Sequence, residues 1–96
     1  MKAKTNGKVV VFELVIENQI GLHARPAAKF VKTVEKFRAE ITVTKDGDKV
    51  NGKSIIGLLT LAAGRGTKLV IEAEGDDATE AIDAIQSLVE GNFNEN

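Results

Sequence analysis

Ninety-six residues, 43% of them hydrophobic, suffice for one small domain with a modest core; it is expected over residues 8–93, between short tails at 1–7 and 94–96. Thirteen basic against fourteen acidic residues leave a formal net charge of −1, so no overall pull toward nucleic acid or an anionic membrane operates and recognition has to be local. The absence of cysteine and the single histidine exclude a disulfide framework and a thiolate or multi-histidine zinc site, which points to a metal-free, cofactor-free protein.

Residues 1–7 (M-K-A-K-T-N-G) are polar and aperiodic and read as a loose tail. A first strand is expected over 9–17, where Phe12, Leu14 and Ile16 share one face and Glu13 and Glu17 the other. Over 24–37, Ala27, Phe30, Val31, Val34 and Phe37 recur at helical spacing, with Lys29, Lys32 and Lys36 left for a wet face. Residues 40–50 read as a hairpin: Ile41 and Val43 alternate with Thr42 and Thr44, and Asp46-Gly47 supplies the turn. Ser54 then caps a short helix, I-I-G-L-L-T-L-A-A, expected to end near Gly64. Alternation returns over 67–74, with Leu69, Ile71 and Ala73 facing one way. Asp77-Ala-Thr-Glu80 has capping-box spacing, and Ala81, Ile82, Ile85, Leu88 and Val89 form the buried stripe of a last helix stopped by Gly91. The order β-α-β-β-α-β-α predicts an α+β fold with an antiparallel or mixed sheet and helices on one face.

No stretch of this sequence approaches the ~20 apolar residues that span a bilayer, and the first eight residues lack the apolar core of a secretory signal. A cytoplasmic protein without membrane insertion is expected. An RNA-binding sheet would need stacking aromatics and a basic surface; four phenylalanines, no tyrosine or tryptophan and a pI of about 5.8 argue against one.

The chemistry concentrates in Gly21-Leu22-His23-Ala24-Arg25-Pro26, between the first strand and the first helix. Proline is tolerated in the first helical turn, so Pro26 locates the helix start and His23 falls at its N-cap. Backbone N–H groups at Ala24 and Arg25 and the positive end of the helix dipole then offer a site for an anion. The Arg25 guanidinium adds a fork that binds phosphate through two parallel hydrogen bonds. An ordinary imidazole titrates near ~6.5, so a neutral ring nitrogen is available to attack phosphorus. Ser54 is a helix cap worth ~1 kcal/mol, and a phosphate there would add about −1.5 to −2 charge at a position the helix tolerates. Ile55, Ile56 and Leu59 lie on a helix too apolar to be buried on every side, so part of it should form an exposed patch.

The segment G-L-H-A-R-P-A-A resembles the active-site signature of the HPr family, the histidine-containing phosphocarriers of the bacterial phosphoenolpyruvate-dependent phosphotransferase system. The segment K-S-I-I-G-L-L at 53–59 is similar to that family's regulatory-serine motif. The resemblance runs from about Val9 to Phe93. It implies an open-faced β-sandwich: a four-stranded antiparallel sheet with three helices on one face. It implies that His23 accepts a phosphoryl group from enzyme I, that Arg25 helps to bind it, and that EIIA-type proteins take it onward. It also implies phosphorylation of Ser54 by an HPr kinase/phosphorylase, a docking surface including Ala28, Lys32, Ile55, Ile56 and Leu59, and a monomeric carrier rather than an independent enzyme. Ile20 and the closing G-N-F-N-E resemble the nitrogen-related branch, NPr, whereas K-S-I-I-G resembles the ordinary carriers. A catalytically silent regulatory homologue acting through protein binding is the rival reading.

Overall fold

The computed structural model describes residues 8–94; the tail expected at 1–7, and residues 95 and 96 of the one expected at 94–96, lie outside them. The chain runs β1 (Lys8–Val15), α1 (Ala24–Val34), β2 (Glu40–Lys45), β3 (Asp48–Asn51), α2 (Ile55–Thr60), β4 (Lys68–Gly75) and α3 (Ala78–Glu90), and closes in a 3₁₀ turn, Asn92–Asn94. The four strands form one sheet in the order β1-β4-β2-β3 with every neighbouring pair antiparallel. The order of elements predicted an α+β fold with an antiparallel or mixed sheet; the sheet is antiparallel throughout, the open-faced sandwich that the family resemblance implies.

Alternation in the strands decides which face is covered. Leu14, Ile41, Val43, Leu69, Ile71 and Ala73 are buried on one side, against Ala27, Phe30 and Val34 of α1 and Ala78, Ala81, Ile82, Ile85 and Leu88 of α3. Each fully buried aliphatic or aromatic side chain contributes roughly 1.5–3 kcal/mol of transfer free energy. The other face is open: Val9, Val11 and Val15 are exposed there, and Glu13 meets Lys68 at 3.8 Å, a surface pair worth little. The β2–β3 turn takes positive φ at both central residues, Asp46 at 51° and Gly47 at 89°. Such a turn matches the twist of the flanking strands, which is why Asp-Gly stands there.

Several boundaries differ from the sequence reading, each for a local reason. β1 ends at Val15, but Ile16 stays tied to the β4 side because its N–H donates to Thr67 O at 2.9 Å and its carbonyl accepts from Gly66 N at 2.7 Å. α1 stops at Val34; Phe37 instead closes a turn, its N–H donating to Val34 O at 3.0 Å. α2 ends at Thr60, short of Gly64, since Leu61 and Ala62 donate to Leu58 O and Leu59 O at 3.2 and 3.1 Å and tighten the last turn. Ala62 itself then takes the left-handed conformation at φ 51° that a glycine was expected to supply.

Asp77 occupies the N-cap position of α3, but its side chain makes no cap bond. The carboxylate reaches across to the α1–β2 connection and accepts from the backbone N–H groups of Arg38 and Ala39, both at 2.8 Å. The bond from Arg38 is the main reason that its carboxyl is held below the usual carboxylate range, with Ala39 adding to it and partial burial opposing. Gly91 caps α3 at its C-terminus, yet with φ −88°; the left-handed residues are Asn92 at 53° and Phe93 at 56°. Phe93 is buried at 2% exposure, and its carbonyl accepts from Lys29 Nζ at 2.8 Å, which draws Lys29 off the wet face into a half-buried position.

Candidate functional site

The segment from Glu17 to Leu22 has no regular structure, and its shape comes from hydrogen bonds to distant backbone. Gly21 N donates to Asn18 O at 3.2 Å and closes a turn, while Leu22 N donates to Ala63 O at 2.7 Å in the connection that follows α2. Gly21 sits at φ +74°, and a Cβ there would stand 2.6 Å from Ala63 O and 2.8 Å from Gly64 Cα. Only glycine lets the two segments approach so closely. Asn18, which the sequence reading passed over, is 6% exposed and donates from Nδ2 to Gly21 O at 2.8 Å. Its only signal in the sequence is one polar residue in the loop before Gly21.

Leu22 is buried and anchors the loop; His23, Ala24 and Arg25 that follow are exposed. His23 is the N-cap of α1, with φ −93° and ψ −173°, as Pro26 in the first turn implied. Its carbonyl accepts the first helical bond from Ala27 N at 2.8 Å, but its side chain makes no cap bond. The ring is therefore not spent on the helix end. Of the first-turn donors, Pro26 has none and Ala27 is used, which leaves the N–H groups of Ala24 and Arg25 without intrahelical acceptors. No acidic residue stands in that turn to neutralise the positive helix end. An exposed imidazole, an arginine and two amides without intrahelical acceptors thus share one helix start, an arrangement suited to a phosphoryl group.

The second motif is organised by α2, which packs against α1. Ser54 is its N-cap, as expected, and its Oγ accepts from Gly57 N at 2.9 Å. Leu58 alone of this helix is buried; Ile55, Ile56 and Leu59 are 39%, 72% and 36% exposed, so the apolar patch exists. Ala28 and Lys32, four residues apart on α1, are exposed as well. Lys53 Nζ donates to Phe37 O at 2.7 Å, tying the lead-in of α2 to the end of α1, and Lys45 Nζ holds Leu61 O at 2.8 Å at the other end. Among the described residues there is no cluster of side chains that could hold a metal ion, and no helix long and apolar enough to cross a membrane.

Comparison with known proteins gives a consistent answer. Residues 10–91 match the family model PTS-HPr, described as the PTS HPr component phosphorylation site. The phosphocarrier protein HPr of Neisseria meningitidis is 48% identical over 80 residues, covering 83% of this chain and 90% of that protein. The HPr-like protein Crh of Halalkalibacterium halodurans is 44% identical over 78 residues, covering 81% and 93%. The crystal structure of HPr from Thermoanaerobacter tengcongensis superposes with a TM-score of 0.88 at 47% identity, covering 91% of this chain and 98% of that one.

Proposed function

The chain belongs to the HPr family of phosphocarrier proteins of the phosphotransferase system, and on that premise we propose that His23 is its phosphoryl acceptor, charged by enzyme I and discharged to EIIA-type proteins in the cytoplasm. The observation that carries this reading is the exposed N-cap imidazole left without a cap bond at the start of α1, in a first turn that holds no acidic residue. A neutral ring nitrogen donates its lone pair to phosphorus. The nitrogen–phosphorus bond forms as the bond from phosphorus to the donor protein breaks, and the donor group leaves with its electron pair. Onward transfer repeats the step, with His23 as the leaving group. Arg25 and the amides of Ala24 and Arg25 hold the phosphoryl oxygens, so charge on them is stabilised without reorganisation.

Ser54 is the second modification site in this reading, used by an HPr kinase/phosphorylase where one is present. Ala28, Lys32, Ile55, Ile56 and Leu59 form the docking surface shared by the partners, an apolar centre with a cationic margin. Incubation with enzyme I and phosphoenolpyruvate, followed by intact mass, should add one phosphoryl group that is acid-labile and base-stable. Folded His23→Ala should remain unlabelled, and labelling of that variant would overturn the assignment. Arg25→Lys keeps the charge but loses the planar fork, so transfer should slow without ceasing; the wild-type rate would remove Arg25 from the site.

A further inference from the structure

The loop that carries His23 contains Asn18, the buried polar side chain among the described residues. Its amide is satisfied at one end only: Nδ2 donates to Gly21 O at 2.8 Å, while Oδ1 is buried with no donor among the described residues. An apolar side chain would fill this space without stranding an acceptor, so packing does not account for asparagine here. The bond to Gly21 does. It completes a grip on the Gly21–Leu22 peptide, whose carbonyl is held by Asn18 and whose N–H is held by Ala63 O at 2.7 Å. Gly21, at φ +74° and otherwise the freest residue of the loop, is confined by this arrangement. The next peptide leads straight into His23, whose side chain makes no cap bond to fix its own direction.

We propose that Asn18 is a positioning residue for phosphoryl transfer. By holding the Gly21–Leu22 peptide plane, it sets the direction of the His23 ring relative to the amides of Ala24 and Arg25. The inference rests on His23 being the acceptor, and Asn18 acts through the backbone of the loop. Displacement of a reacting group by about 1 Å costs on the order of 100-fold in rate, so loss of the grip should slow transfer by roughly 10- to 100-fold.

Two variants test this. Asn18→Leu fills the volume without a donor, and Asn18→Asp keeps the shape while turning an acceptor toward Gly21 O. Each is compared with wild type as a substrate of enzyme I, at a temperature where circular dichroism shows it folded, and the lifetime of the phosphohistidine is followed afterwards. The expected result is a fall in kcat with KM little changed, because the docking residues are untouched, together with an altered phosphohistidine lifetime that a merely structural role would not produce. Wild-type kcat and lifetime in folded Asn18→Leu would overturn the proposal. Should both variants unfold, the wild-type protein still decides: the Asn18 side-chain amide protons should exchange slowly and shift when His23 is phosphorylated, and exchange at the free rate would overturn the proposal. Labelling that persists in His23→Ala overturns the acceptor assignment itself, and this inference with it, so the two failures are distinguishable.

Discussion

Replacing Gly21 with alanine tests the contact on which the loop before His23 depends. The new Cβ would stand 2.6 Å from Ala63 O and 2.8 Å from Gly64 Cα, on a backbone at φ +74°. A left-handed residue with a Cβ costs about 1–2 kcal/mol. Pushing the segments apart also loosens the 2.7 Å bond from Leu22 N to Ala63 O, a loss of about 0.5–1.5 kcal/mol for a typical hydrogen bond. Together the two effects predict destabilisation of about 1.5–3.5 kcal/mol, or on the order of 6–28 °C in Tm for a domain of this size. Gly66→Ala is the control, because Gly66 has φ +88° but nothing within 4 Å of the added Cβ. It should show the backbone cost alone, about 1–2 kcal/mol. Urea titration of both variants, with the slope unchanged and only the midpoint moved, gives the comparison. If Gly21→Ala costs no more than Gly66→Ala, the close approach to Ala63 is not a structural constraint and the account of the loop is wrong.

Ser54→Ala removes the acceptor for Gly57 N and should lower stability by about 0.5–2 kcal/mol with transfer to His23 nearly intact; Ser54→Asp should instead slow His23 phosphorylation by enzyme I with little loss in Tm, and the opposite pattern would show that Ser54 is not an inhibitory position. Ile56→Ala, at a residue 72% exposed, should leave stability within about 0.5 kcal/mol of wild type but raise KM for enzyme I, and an unchanged KM would remove Ile56 from the docking surface. Asp77→Asn tests the acid limb of stability: because the folded carboxyl titrates below its ordinary value, its contribution is present above about pH 4 and is lost as pH falls through the folded pKa. The variant should therefore be less stable than wild type at pH 7 in thermal melts, with the gap closing toward pH 2; a gap independent of pH would contradict the carboxylate's role.

Local pattern was enough for much of the fold. Alternation placed Leu69, Ile71 and Ala73 on the covered face of β4, and the helical period placed Phe30, Val34, Ile82 and Ile85 in the core, where all are buried. Asp46-Gly47 marked the hairpin because the turn demands positive φ at both residues, a purely local requirement. Pro26 located the start of α1 for the same kind of reason. What escaped the sequence depends on partners far along the chain. The Asp77 carboxylate has capping-box spacing, but amides 38 and 39 residues upstream hold it. Lys29 has the spacing of a solvent-facing residue, but the carbonyl of Phe93, 64 residues away, draws it inward. Asn18 left its mark only as one polar letter in a loop.

These long-range bonds also place α2 and its apolar patch beside the loop that leads into His23, although the two belong to different helices. α2 is six residues long and buries only Leu58, so packing alone holds it weakly. Its placement comes from bonds at both ends: Lys53 to Phe37 O and the Ser54 cap at the start, Lys45 to Leu61 O at the finish. Immediately beyond that finish, Ala63 O receives Leu22 N and Gly66 N reaches Ile16 O, so the segment that ends α2 is also the one that braces the loop before His23. A change at the start of α2 is therefore separated from His23 by the whole helix, whereas a change at Gly21 or Asn18 acts on the brace itself. Ser54 substitutions should accordingly act through docking, and Gly21 or Asn18 substitutions through the geometry of the ring.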